Sequence, residues 1–214
     1  MRAMVRWGLV VSLVALGVRA AQAQQGKAAP PPMDPKQQAA MEAAQRLSAP
    51  GDGHKALEPL VGTWTYTAQW WMAPEAPAET MTGTAVNSLV FGGRFLKQEF
   101  HGEAAMEGQP PFEGLGYTGY DNIRNEYQSV WLDNMATGMM VGAGRFDAAA
   151  KTLTDQGEFS CPLTMETHRK FRSLWKVDDQ NHTTYLSYMS TPDGKEYKAM
   201  EIRYTRQAPN APGP

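Results

Sequence analysis

From Gly62 to Arg206 the chain alternates apolar and polar residues. Trp64, Tyr66, Ala68 and Trp70 fall on one face of a two-residue period, and Thr63, Thr65, Thr67 and Gln69 fall on the other. Successive side chains of an extended chain point to opposite sides, so this pattern predicts a half-buried strand over 63–72. Comparable runs predict strands at 79–91, 94–102, 112–120, 126–133, 139–146, 152–159, 168–177, 183–190 and 196–206. Between them stand turn residues: Gly92-Gly93, Gly108 to Pro111, Asp121-Asn122, Thr137-Gly138, Asp178 to Asn181 and Pro192-Asp193-Gly194. Parallel pairing needs crossovers of a dozen residues or more, and these links are shorter, so the strands run antiparallel and largely up and down. About ten strands leave two unpaired edges unless the sheet closes on itself. The expected fold is therefore all-β, a closed antiparallel barrel, with a two-sheet sandwich as the competing reading.

Ahead of the strands the pattern differs. Residues 36–47 carry Ala, Met, Glu and Leu and predict a short helix, which Pro50-Gly51-Asp52-Gly53 breaks; His54 to Val61 reads as one more helical turn. Residues 24–52 as a whole are rich in Gln, Ala and Pro and read as a flexible leader. The first 23 residues read as a signal peptide: Arg2 and Arg6, a 12-residue apolar run from Trp7 to Val18, then Ala21-Gln22-Ala23 as a small-x-small cleavage site. That run is short of the roughly 20 residues a membrane span takes. An uncleaved anchor is the alternative. Residues 53–207 form the expected barrel domain and 208–214 a disordered tail. The expected location is the periplasm or the medium of a bacterium, with no transmembrane segment after cleavage.

Composition narrows the partners. The net charge is −2, and loss of Arg2, Arg6 and Arg19 from the 20 basic residues leaves 17 against 22 acidic ones. An acidic chain is poorly suited to nucleic acid or to an anionic membrane. Cys161 is the only cysteine, so no intramolecular disulfide forms and the core alone must hold an exported domain.

The ordered set of motifs resembles the DUF1579 family, a bacterial family of unknown function. The carriers are the run HKALEPLVGTW from His54 to Trp64, Gly92 to Leu96, Phe112 to Gly116, Gly119 to Asn122, Trp131 to Asp133, Thr137-Gly138 and the closing Met200 to Arg206. The Gly-x-Trp opening is also similar to that of lipocalins and other calycins, and this resemblance implies a barrel that holds small apolar ligands. It further implies a structural pairing of Arg206 with Trp64 at the barrel floor, because the last strand of an even-stranded barrel closes beside the first.

Tyr66, Trp70, Trp131, Trp175 and Tyr185 supply large amphipathic rings that suit either core packing or the wall of a ligand cavity. Trp71 and Tyr117 belong with them. Arg94, read as the start of the strand after the Gly92-Gly93 turn, is the candidate for an inward cation facing a ligand carboxylate. No catalytic constellation is legible. The four histidines lack metal-ligand spacing, no EF-hand or phosphate loop occurs, and Cys161 has no evident base, although His168 is seven residues away. His168 or His101 holding a haem, as in the calycin-like nitrobindin type, is a minor alternative to a plain surface histidine; no metal or cofactor is predicted. The expected function is binding of a small hydrophobic or amphipathic molecule. The alternatives are a filled structural barrel, and more remotely an enzyme that uses a buried carboxylate or His.

Overall fold

The computed structural model of the chain describes residues 33–104, 108, 110–191 and 193–208. The expected signal peptide, the first part of the leader and residues 209–214 lie outside them. Ten antiparallel strands make one closed barrel: β1 (Gly62–Trp70), β2 (Glu79–Val90), β3 (Phe95–Ala104), β4 (Pro111–Asp121), β5 (Glu126–Asp133), β6 (Met140–Asp147), β7 (Thr152–Cys161), β8 (Glu166–Val177), β9 (His182–Ser190) and β10 (Glu196–Arg206). Each pairs with its sequence neighbours, and β10 pairs with β1 to close the wall. The sandwich alternative is thus excluded, and no strand edge is left open.

Closure puts Trp64 directly opposite Arg206, Tyr66 opposite Tyr204 and Ala68 opposite Ile202. The inward faces follow the alternation: Trp64, Tyr66 and Ala68 on β1, Phe171, Ser173 and Trp175 on β8, and Thr183 and Ser187 on β9 are all buried. One bulge interrupts β10 between Lys198 and Met200. It brings Ala199 to the interior as well as Met200.

A helix, α1 (Pro35–Ser48), precedes the barrel, one residue longer at each end than the composition suggests. Asp34 caps it by accepting from the Lys36 N–H, and Pro35 fits at its first turn, where no intrahelical donor is needed. None of its residues is buried. It is held at its C-terminus instead. Asn122 Nδ2 donates to the carbonyls of Leu47 and Ala49, both at 2.8 Å, and Arg94 Nε donates to Ser48 O at 3.0 Å. Two barrel turns thereby occupy the orphan carbonyls of the helix end.

A four-residue helix, α2 (Asp52–Lys55), and a 3-10 turn, Glu58–Leu60, then plug one end of the barrel. Leu57 and Leu60 drive into the interior against Leu96, Tyr127, Leu153 and Trp175. Burying each such side chain stabilises the fold by about 1.5–3 kcal/mol. His54 is buried in the same plug. Its Nδ1 accepts from the Gly51 N–H at 3.0 Å, and the Tyr120 ring stands edge-on at 5.9 Å. Burial, and then the charge of Arg94, lower its pKa below the ordinary histidine value.

Candidate functional site

Above the plug the barrel is not filled. A cavity of about 370 Å³ runs from Leu153, Trp175 and Tyr204 in the middle of the barrel to Met72 and Met135 at the other end. Those two methionines are 49% and 50% exposed, so the cavity reaches the surface there. The space arises because several inward positions carry small side chains: Ala68, Gly116, Ser129, Ser173, Ser187 and Ala199.

Tyr66, Trp70, Trp131, Trp175 and Tyr185 all line this cavity. Trp131 lies over β4, whose inward glycines make its seat. A Cβ at Gly114 would come within 2.5 Å of its indole and one at Gly116 within 3.1 Å. Its Nε1 donates to Asp133 Oδ2 at 2.8 Å, and Phe100 meets it edge-on at 5.0 Å. Tyr66 lies in the same way over the paired Gly83 and Gly102 of β2 and β3. Its hydroxyl is buried and has no hydrogen-bond partner among the described residues. Burial pushes its pKa up to about 12. Trp175 Nε1 donates to Thr183 Oγ1 at 3.3 Å, and its ring stacks on Tyr204 at 6.0 Å. Trp71 reaches the cavity rim with Lys198 Nζ 4.4 Å from its ring centre. Tyr117 does not line the cavity; its β4 neighbours Gly116 and Thr118 take the inward positions.

Arg94 lies elsewhere. It belongs to the turn between β2 and β3, not to the strand, and β3 begins at Phe95. Its guanidinium donates to Ser48 O and to Phe91 O, at the plugged end. The residue expected to meet a ligand carboxylate holds the end of α1.

Trp64 and Arg206 sit together between the plug and the wall. The guanidinium carbon lies 4.0 Å from the Trp64 ring centre. Arg206 also donates to the carbonyls of Gln180, Pro59 and Val61, and Trp64 Nε1 donates to Leu60 O at 2.9 Å. Neither residue lines the cavity.

The residues missed in the sequence are the polar ones of the cavity. Asp155 projects inward from β7, accepting from Ser129 Oγ at 2.5 Å and from Ser173 Oγ. Ser129 is on β5, two strands away, and the bond passes over Gly142 of β6. A Cβ there would lie 2.8 Å from Asp155 Oδ2 and 2.9 Å from Ser129 Oγ. Tyr185 is pushed up to about 12 by burial and by the Asp155 charge, with Ser173 and Ser187 beside its hydroxyl pulling the other way. Tyr185 therefore stays a neutral donor at physiological pH. Nearer the open end Arg169 is buried. It donates to Tyr197 Oη at 2.9 Å and to Cys161 Sγ at 3.3 Å, and its Nε stands 3.6 Å from Glu166. Burial raises the Cys161 pKa, but hydrogen bonds with Thr164, Arg169 and Leu163 outweigh it and bring the thiol below its ordinary value. His168 is on the outer face, paired with Glu158 at 3.1 Å, so it is no base for that thiol. Six of the 13 methionines, Met72, Met81, Met135, Met140, Met189 and Met200, complete the lining. No group of three or more metal-ligating side chains occurs among the described residues, and no described helix is long and apolar enough to cross a membrane.

A family model described as "Protein of unknown function (DUF1579)" matches residues 49–206. The chain belongs to that family. None of the curated proteins matches. Among solved structures the chain is similar to Rv2717c from M. tuberculosis, at a TM-score of 0.54 and 14% identity over 75% of this chain and 100% of that one. It is also similar to the S-type phycobiliprotein lyase CPES from Guillardia theta, at a TM-score of 0.52 and 12% identity over 75% and 100%. At such identities the likeness is one of fold.

Proposed function

We propose that this member of the DUF1579 family is an exported barrel that binds a small hydrophobic or amphipathic molecule in its interior. The supporting observation is the cavity of about 370 Å³, walled by Tyr66, Trp70, Trp131, Trp175 and Tyr185 and carrying a few polar groups. Ligand sites are typically apolar hollows of roughly 300–1,000 Å³ with a small number of placed polar atoms. A filled structural barrel would have no such hollow. The Tyr66 hydroxyl, without a partner among the described residues, adds to the case, since a buried hydroxyl left so costs roughly 1–3 kcal/mol that a ligand acceptor recovers. The flexible methionines at the open end suit a site that adapts to the shape of its occupant. Export rests on the apolar run Trp7 to Val18 and the Ala21-Gln22-Ala23 motif.

Native mass spectrometry of the full-length chain expressed in a bacterium reads both parts of the proposal. The expected species begins at Gln24, occurs outside the cytoplasm and carries extra mass that leaves on denaturation. The emptied protein then takes up Nile red, a neutral apolar dye, saturably at one site. A species that retains Met1 and stays in the cytoplasm overturns export, and failure of the emptied barrel to bind apolar probes overturns the ligand reading.

A further inference from the structure

The charged groups that line the cavity are unevenly matched. They are Asp133 on β5, Asp155 on β7 and Arg169 on β8. Asp133 has both oxygens engaged, by Trp131 Nε1 at 2.8 Å and by the Met135 N–H at 3.0 Å. Arg169 has its charge met by Glu166 at 3.6 Å and donates to Tyr197 and Cys161, while its buried Nε makes no hydrogen bond among the described residues. Among the described residues Asp155 receives only two neutral hydroxyl groups, from Ser129 and Ser173. None of the ion pairs of the described residues includes it. A carboxylate offers about four acceptor sites, and in an apolar hollow its charge is costly unless a cation meets it.

The surroundings of Asp155 suit such a cation. The Phe171 ring and the Asp155 carboxylate both lie close to Gly142, within 3.2 and 2.8 Å of where a Cβ would stand. Tyr185, near enough to sense the Asp155 charge, stands edge-on to Trp175 at 6.3 Å. Aromatic rings beside a carboxylate suit organic ammonium groups, because a ring attracts positive charge over its face while the carboxylate takes the N–H donors. An anionic ligand would find the Arg169 Nε free of a hydrogen bond, but it would also meet the two carboxylates of Asp133 and Asp155 and, 3.6 Å from that Nε, Glu166. A neutral ligand would leave Asp155 without a counter-charge.

We propose that the occupant of the cavity is an amphipathic amine, with its protonated nitrogen at Asp155 between Phe171 and Tyr185 and its apolar body extending toward Trp131 and the methionines of the open end. The proposal rests on the reading of the cavity as a ligand site. Gly142 is then a positioning residue: only a residue without a side chain lets Ser129 reach across β6 and fix the carboxylate.

Displacement of Nile red from the emptied mature protein by decylamine, decanol and decanoate at neutral pH tests it. The three differ in head group and share the tail. Decylamine is expected to bind about tenfold more tightly than decanol, the difference between a charge-assisted and a neutral hydrogen bond, with decanoate weakest. Asp155→Asn keeps the shape and removes the charge; it is expected to bring amine and alcohol within about twofold while Nile red still binds. Nuclear Overhauser contacts from the methylene beside the nitrogen to the Tyr185 and Phe171 rings place the head group in the unaltered protein, should that variant not fold. Equal binding of decanol and decylamine, or an amine preference that survives Asp155→Asn, overturns the amine assignment and leaves the cavity as a ligand site. Absence of binding by the dye and all three probes removes both.

Discussion

At the residue scale, the Gly-x-Trp opening has a physical account. Gly62 has φ +134°, and a Cβ there would collide with the Arg206 guanidinium. The chain passes under that guanidinium only without a side chain, and two residues later the Trp64 indole lies against it. Arg206 ties three carbonyls from the plug and the β8–β9 link to the ring. Arg206→Ala removes the cation over the indole and leaves those carbonyls without their donor. A loss of roughly 2–4 kcal/mol is expected in urea unfolding. Unchanged stability together with weakened Nile red binding would assign Arg206 to the ligand instead. His54 gives a second expectation. Its folded pKa is lowered by burial, so below about 6.5, the ordinary histidine value, the unfolded chain takes up more protons than the folded one. Its contribution is complete above that pH and is lost as pH falls through it. The melting temperature of the native protein is expected to fall more between pH 7.5 and 5.5 than that of His54→Asn. Parallel curves would refute this. Arg94 shows where residue-level reading fails. A lone Arg after Gly-Gly reads equally as a strand start or a turn, and its partner, Ser48, is 46 positions away in a helix with no buried face.

At the element scale the strands were legible. The boundaries from the alternation agree with the structure to within two residues, because most inward faces carry enough large apolar side chains to mark their phase. β7 departs from this, and with it the polar part of the candidate site. Its inward face reads Leu153, Asp155, Gly157, Phe159 and Cys161, so its central positions carry an acid and a glycine where a core strand normally carries apolar bulk. The adjoining β6 has Gly142 and Gly144 on its inward face. The sequence marks these as a bend or a close approach, and the structure supplies the reason. A Cβ at Gly144 would lie 1.7 Å from Thr154 O, and one at Gly157 would lie 1.9 Å from Val141 O. The two strands press together with no room for a side chain between them. Gly144→Ala is expected to cost more than about 3 kcal/mol, against less than about 1 for Gly138→Ala, where the nearest atom is 3.9 Å away. Similar losses at both sites in denaturant unfolding would show that β6 and β7 part easily.

At the scale of the whole molecule, closure was legible and the hollow was not. An even count of short antiparallel runs, with the first and last strands paired Trp64 to Arg206, closes a wall. Alternation states which face a side chain is on; it does not state how much space ten inward faces leave between them. That space depends on Ala68, Ser129, Ser173 and Ser187 facing one cavity, Ser173 directly opposite Ser187, which is a property of register among strands apart in sequence. Tyr66, Trp70, Trp131, Trp175 and Tyr185 line the hollow because large rings on an inward face have nowhere else to go. The polar atoms that give the wall its chemistry belonged to Ser and Asp, residue types that read in sequence as solvent-facing.

The plug has a further effect. With Leu57, Leu60 and Leu96 sealing the base, each no more than 3% exposed, the described residues open the hollow at its far end, beside Met72 and Met135. An occupant of the kind proposed above would enter and leave by that one end of the described barrel, head first and then in reverse. The wall around Asp155 would then meet its leading end, and Met72 and Met135 at the threshold would bear on how long it stays.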